Sequence, residues 1–127
     1  MNFSESERKL CREIAETWRK TVGFGDWYLD YLGEPRAFID GDSAILDVGM
    51  FPLLTLDDAV QEIERHGWEI IDMGVLSYNI VTETKLYAVR ITKFDDHRSP
   101  RSIRENGSTL REAALKCLLE IVKEERG

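Results

Sequence analysis

No apolar run in this chain reaches the roughly 18 consecutive residues that a membrane-spanning helix needs. The opening residues, Met1 to Glu7, are polar and acidic, where a secretory leader carries a basic block followed by an apolar one. The expectation from both absences is a cytoplasmic protein without a membrane partner. Cysteine is scarce: only Cys11 and Cys117 occur, both fall on apolar faces of predicted helices, and a reducing compartment keeps them as thiols. Both are read as core residues. Histidine is as scarce, with His66 at the end of a predicted helix, where it can cap the last carbonyls, and His97 in a basic segment beside Asp95 and Asp96. His97 with those acids suits a general base or a metal ligand, but no third ligand stands at a sensible spacing and neither cysteine is near it in sequence. Glycine-rich phosphate loops and strained-serine elbows are missing altogether. Asp40-Gly41-Asp42-Ser43 begins like a calcium loop, yet Ala44, Ile45 and Leu46 bring no oxygen ligand and no late glutamate follows, so a turn is expected there. No catalytic residue, metal site or cofactor is therefore assigned, and the chain is expected not to be an enzyme.

Positive charge is short as well. Lysine and arginine number 17 against 24 aspartates and glutamates, for a formal charge of -7. That field repels polyanions and argues against indiscriminate binding to nucleic acid or to an anionic membrane. The excess is not spread evenly: between Asp26 and Asp58 eight acids face Arg36 alone, which accounts for all of it.

What the chain does have is an ordinary globular balance, 43% hydrophobic and 32% charged over 127 residues, with no internal repeat or low-complexity stretch. One domain of this length buries about two-thirds of its unfolded surface. Ser4 and Glu7 form a capping box that starts a helix, along which Leu10, Ile14, Trp18 and Val22 make an apolar stripe with Cys11 and Ala15 until Gly23 and Gly25. Short β-prone runs follow, Trp27 to Leu32, Arg36 to Ile39 and Ser43 to Val48, parted by turn residues, and predict a small antiparallel meander. This helix and meander form a subregion over 1–50. Thr55 caps a second helix with Leu56, Ala59, Val60 and Ile63 on its apolar face, stopped at Gly67. Trp68 to Leu76 and Lys85 to Phe94 read as neighbouring strands, the second alternating Tyr87, Val89 and Ile91 with Ala88, Arg90 and Thr92. Asp95 to Asn106 is polar and loop-like, with room for one further short strand around Arg101 to Arg104. Thr109 and Glu112 then box the start of a last helix whose apolar face runs from Leu110 to Val122. The fold class is α+β, an antiparallel sheet packed with helices in the order α, β-meander, α-β-β-(β)-α, forming a single domain with its core over 54–127.

From Leu54 onward this order, with Thr55-Leu56-Asp57-Asp58-Ala59-Val60-Gln61-Glu62-Ile63 and the closing Gly107-Ser108-Thr109-Leu110-Arg111-Glu112-Ala113-Ala114, resembles small phage and prophage proteins of the ABA-sandwich type. The resemblance implies a phage or prophage origin and a bacterial host cell, and it carries over no catalytic residue. The element order is also similar to that of double-stranded RNA binding domains, whose last helix opens with lysines that grip phosphates. Around Thr109 to Arg111 only Arg111 is cationic here, and the preceding helix presents Asp57, Asp58, Glu62 and Glu64. That likeness implies shared geometry, not shared function.

Two surfaces stand out. Arg98, Arg101 and Arg104 recur every three residues, with Ser99 and Ser102 between them and Ser108 and Arg111 just beyond at a helix start. Guanidinium forks, hydroxyls and free amides suit a phosphate-bearing ligand such as a nucleotide. Asp95, Asp96 and Glu105 can equally satisfy those arginines. The acidic half interleaves aromatics with carboxylates, and Trp27, Tyr28, Asp30, Tyr31, Asp40 and Asp42 suit a partner surface with aromatic anchors. The expected function is an accessory protein that binds a host protein through that surface, suited to inhibiting a host defence system, or binds a copy of itself through the helices as a homo-oligomer. The alternative is a small-molecule binder using the arginine-rich segment.

Overall fold

The computed structural model describes residues 3–17, 21–23, 25–39, 41–46, 50–95 and 98–126, with the backbone alone at Thr17, Thr21, Val22, Asp95, Arg98, Ser99 and Arg126. It is an α+β protein of three helices and short antiparallel sheets. The chain divides into two compact units, Met1–Leu54 and Thr55–Gly127.

In the first unit the capping box forms as the sequence dictates: the Ser4 amide donates to Glu7 Oε1 at 3.0 Å and the Glu7 amide donates to Ser4 Oγ at 3.2 Å. Helix α1 (Glu5–Thr17) follows and buries Cys11, Ile14 and Ala15. It stops before the stripe does. Trp18 lies outside the described residues, and Val22, eight residues beyond Ile14, belongs to strand β1 (Thr21–Gly23), so its place in the four-residue spacing was not helical. Strands β2 (Trp27–Leu29), β3 (Pro35–Ala37), β4 (Ser43–Ile45) and β5 (Phe51–Leu53) complete the unit. They do not make one meander. β2 lies between β3 and β5, while β4 pairs with β1. Pro52 sits in β5, an edge strand, where a missing amide is tolerated. Helix α1 packs on β5, where Phe51 and Leu53 are buried. The Leu54 amide donates to Cys11 Sγ at 3.4 Å, and the Arg12 guanidinium lies 5.2 Å from the centre of the Phe51 ring.

The second unit is built α-β-β-β-α. Helix α2 (Leu56–Arg65) carries a complete box: the Asp58 amide donates to Thr55 Oγ1 at 3.2 Å, and the Thr55 amide donates to Asp58 Oδ2 at 3.0 Å. Gly67, at φ +85°, turns the chain out of the helix. Strands β6 (Glu69–Asn79), β7 (Thr84–Asp95) and β8 (Arg98–Gly107) form an antiparallel sheet in that order. The expected loop over Asp95 to Asn106 is thus mostly strand, paired with β7 from Gly107 to Arg98; its edge position accommodates Pro100. Helix α3 (Leu110–Arg126) covers one sheet face with α2 beside it. Ile63, Val89, Ile91, Leu115, Leu118 and Ile121 there are almost wholly buried, each stabilising by about 1.5–3 kcal/mol relative to exposure. The α3 cap differs in one partner from the expected box. The Glu112 amide donates to Thr109 Oγ1 at 3.0 Å, but the Glu112 carboxylate accepts from the amide and hydroxyl of Ser108, at 3.2 and 2.6 Å, not from Thr109.

Candidate functional site

The strand period decides the fate of the arginine set. Arg101 and Arg104 are three residues apart in β8, so they face opposite sides of the sheet. Arg101 is on the helix side, its guanidinium 5.7 Å from the centre of the Trp68 ring and in contact with the Glu124 carboxylate. Arg104 is on the open side. Ser108 spends its amide and hydroxyl on Glu112, whose carboxyl is raised by burial but held below its usual value because the Ser108 bonds and Lys116 outweigh that burial. The α3 start therefore holds a carboxylate of its own. Arg111 is half-buried in the first turn of α3, and the Arg98 side chain lies outside the described residues. Arg101 and Arg104 therefore do not converge on one ligand position.

Arg104 instead gains a companion that sequence spacing did not suggest. Register places Arg104 directly opposite Arg90, and Arg90 opposite Asp72, so the three form one row across the open face. Two residues along, Gly74, Ala88 and Asn106 form the next row. Small side chains at Gly74 and Ala88 leave a depression of about 270 Å³, walled by Val75 and Leu76 and edged by Asp72, Arg90 and Arg104. Leu76 lies in the register shift between Val75 and Ser77, a bulge that aims it out of the regular alternation. Among the described residues neither the Arg90 nor the Arg104 side chain takes part in a hydrogen bond or ion pair, and Asp72 is in no ion pair either. The alternation of Arg90 with Ala88 and Thr92 was legible; their neighbours across the sheet were not.

Among the described residues of the acidic and aromatic group, Asp30 does not belong to an exposed surface. Asp30 is buried, and its carboxylate organises the β2–β3 turn: Oδ1 accepts from the amides of Leu32 and Glu34 at 3.0 and 2.8 Å, and Oδ2 accepts from Arg36 Nε at 2.5 Å. The Arg36 bond, with those amides, holds the Asp30 carboxyl below its ordinary value against the opposing effect of burial. Trp27 and Tyr28 are half-buried, Asp42 is exposed, and Asp40 lies outside the described residues. The turn does push Tyr31 and Leu32 outward, at 75% and 69% exposure. A larger apolar display lies in the second unit. Beyond the Tyr87–Gly107 pair, β6 and β7 continue without β8 as a two-stranded arm. Leu76, Tyr78, Ile80, Val81 and Leu86 are exposed there, Val81 to 93%, and so is Val75, level with that pair. The tip is held by Asn79 Oδ1, which accepts from the Val81 and Thr82 amides at 3.0 and 3.3 Å.

Among the described residues α2 and α3 offer no comparable face, since their apolar sides are covered within their own unit. Cys117 is buried in α3, its Sγ donates to the Val89 carbonyl at 3.6 Å, and burial pushes its thiol up to about 12. His66, the C-cap residue of α2, has its Nδ1 2.7 Å from a Glu125 carboxylate oxygen, and Lys93 Nζ donates to the His66 carbonyl at 3.3 Å. His97 lies outside the described residues. Among the described residues no three His, Cys, Asp or Glu side chains gather at a metal position, and no helix is long and apolar enough to cross a membrane. No family model, curated protein or solved structure matches the chain.

Proposed function

We propose that this chain is a phage or prophage accessory protein that acts by binding a host protein, and that the outer β6–β7 arm makes the contact. The observation that carries the reading is the cluster of large apolar side chains exposed on that arm. Contiguous apolar surface of this kind is costly to leave in water and marks interaction sites. Strand β6 adds an open backbone edge with Asp72 as the one charge between Ile70 and Asn79. An added strand of a partner satisfies such an edge while its side chains meet Val75, Tyr78 and Val81. The phage origin rests on the resemblance of 55–63 and 107–114 to ABA-sandwich proteins, and inhibition of a host defence system fits a small acidic protein acting stoichiometrically. Burial of the α2 and α3 faces speaks against self-association through the helices.

The test is capture of a host protein by the purified chain, followed by titration of that partner in pure form. Val81→Asp and Ile80→Asp should weaken the complex at least tenfold, because two hot-spot contacts at the tip are lost, while the melting temperature stays that of the unmodified chain. A complex indifferent to both changes, or the failure of folded protein to bind any host component, refutes the reading.

A further inference from the structure

The open face of the second unit's sheet holds a feature that protein binding by the β6–β7 arm does not use. We propose that the depression over Gly74 and Ala88 is a binding site for a small hydroxyl-bearing phosphate ester, gripped by Arg90 and Arg104. Like charges directly opposite one another on neighbouring strands are destabilising, and Arg90 and Arg104 are such a pair. The described structure gives neither guanidinium a carboxylate, although acids outnumber bases in the chain by 24 to 17. An anion seated between them removes the repulsion, and two parallel forks match the oxygens of a phosphate. On the other flank of Arg90 stands Asp72, which is in no ion pair and accepts hydrogen bonds only. It repels a second anionic group and favours a hydroxyl donor, so the row reads phosphate on one side and hydroxyl on the other.

The floor explains where the rest of the ligand lies. A Cβ added at Gly74 meets nothing within 4 Å, and Val75 and Leu76 supply an apolar wall. At about 270 Å³ the depression stands at the small end of ligand pockets, which span roughly 300–1,000 Å³. It fits a sugar phosphate and excludes a folded polymer. The net charge of its three ionic groups is one positive, enough for a monoester and too little for a polyanion track of the kind nucleic acids require.

Ribose 5-phosphate is the probe, with ribose and inorganic phosphate as its two halves, read by calorimetry and by amide shifts in heteronuclear NMR at low salt. The expected result is saturable one-to-one binding of ribose 5-phosphate, with shifts at Gly74 and Ala88. Arg90→Gln and Arg104→Gln should each weaken it by about tenfold or more, the loss of a charge-assisted bond. Gly74→Leu should abolish it by filling the floor with both arginines retained, whereas Arg101→Gln, on the opposite face, should leave it unchanged. Circular dichroism confirms that each variant is folded. The proposal is overturned if ribose 5-phosphate fails to saturate in the millimolar range, if the two arginine variants bind as well as the parent, or if ribose alone binds as tightly as its phosphate. Inorganic phosphate binding as tightly as the ester overturns the hydroxyl-reading role of Asp72, and tighter, steeply salt-dependent binding of single-stranded RNA overturns the small-ligand assignment.

Discussion

Gly107 ends β8 against the first turn of α3, and Gly107→Ala measures how tightly that junction is built. A Cβ at this position lies 2.8 Å from the Ala113 amide nitrogen and 2.9 and 3.0 Å from Cβ and Cγ of Glu112. The first contact is with backbone, so no side-chain rotation relieves it and the helix start must move. Forcing a methyl into a packed junction costs about 1–3 kcal/mol. Moving Glu112 also disturbs its bonds to Ser108 and Thr109, and losing a helix cap costs about 0.5–2 kcal/mol. Together these give a destabilisation of about 1.5–5 kcal/mol, and at about 4–8 °C per kcal/mol for a unit of this size the melting temperature falls by ~6–40 °C. The assay is urea unfolding followed by circular dichroism and by the fluorescence of buried Trp68. Gly74→Ala is the matched control: it is a strand glycine with open space above it, and its effect should stay within about 0.5 kcal/mol. A Gly107→Ala protein as stable as its parent, or an equal loss in Gly74→Ala, refutes the packing argument.

Acid should unfold the protein through specific carboxyls. Asp30 and Glu112 both have folded values below their ordinary 3.8 and 4.5, so their stabilisation is fully present above the unfolded values and is lost as pH falls through the lowered folded ones. Asp30→Asn and Glu112→Gln should each flatten the decline in stability below about pH 4.5, measured by urea midpoints across that range; an unchanged acid limb contradicts the assignment. Cys117, with its thiol pushed up to about 12 by burial, should react with a thiol reagent only as fast as the second unit opens, and a rapid reaction in native buffer, mapped to Cys117 by mass spectrometry, shows the packing around it to be wrong.

Local signals in the sequence were read well because they act within one turn of chain. Ser4, Thr55 and Thr109 all start helices, since the hydroxyl of each reaches the amide three residues on whatever the rest of the fold does. The failures are of two kinds. Val22 continued an apolar spacing beyond the real end of α1, and nothing local says that Thr21–Gly23 will find Ser43–Ile45 as a partner strand. Arg98, Arg101 and Arg104 gave the impression of one cluster because a loop has no period, whereas a strand of period two puts the last two on opposite faces. For the same reason Arg90 and Asp72 went unselected: their proximity to Arg104 depends on a register fixed by pairings 14 and 18 residues apart in sequence. Asp30 was read as surface charge, and only the folded turn shows it turned inward to the Leu32 and Glu34 amides and Arg36.

The arrangement of the second unit has a consequence for biosynthesis. Its sheet is complete once Gly107 is made, yet Val89 and Ile91 have no cover until α3 follows, 17 residues long. A chain whose sheet has formed before α3 docks presents a bare apolar face on one side and an open β6 edge on the other, the state in which holdase chaperones bind and strands mispair. Whatever delays the docking of α3 lengthens that exposure, so the yield of folded protein depends on how quickly this last stretch reaches the sheet.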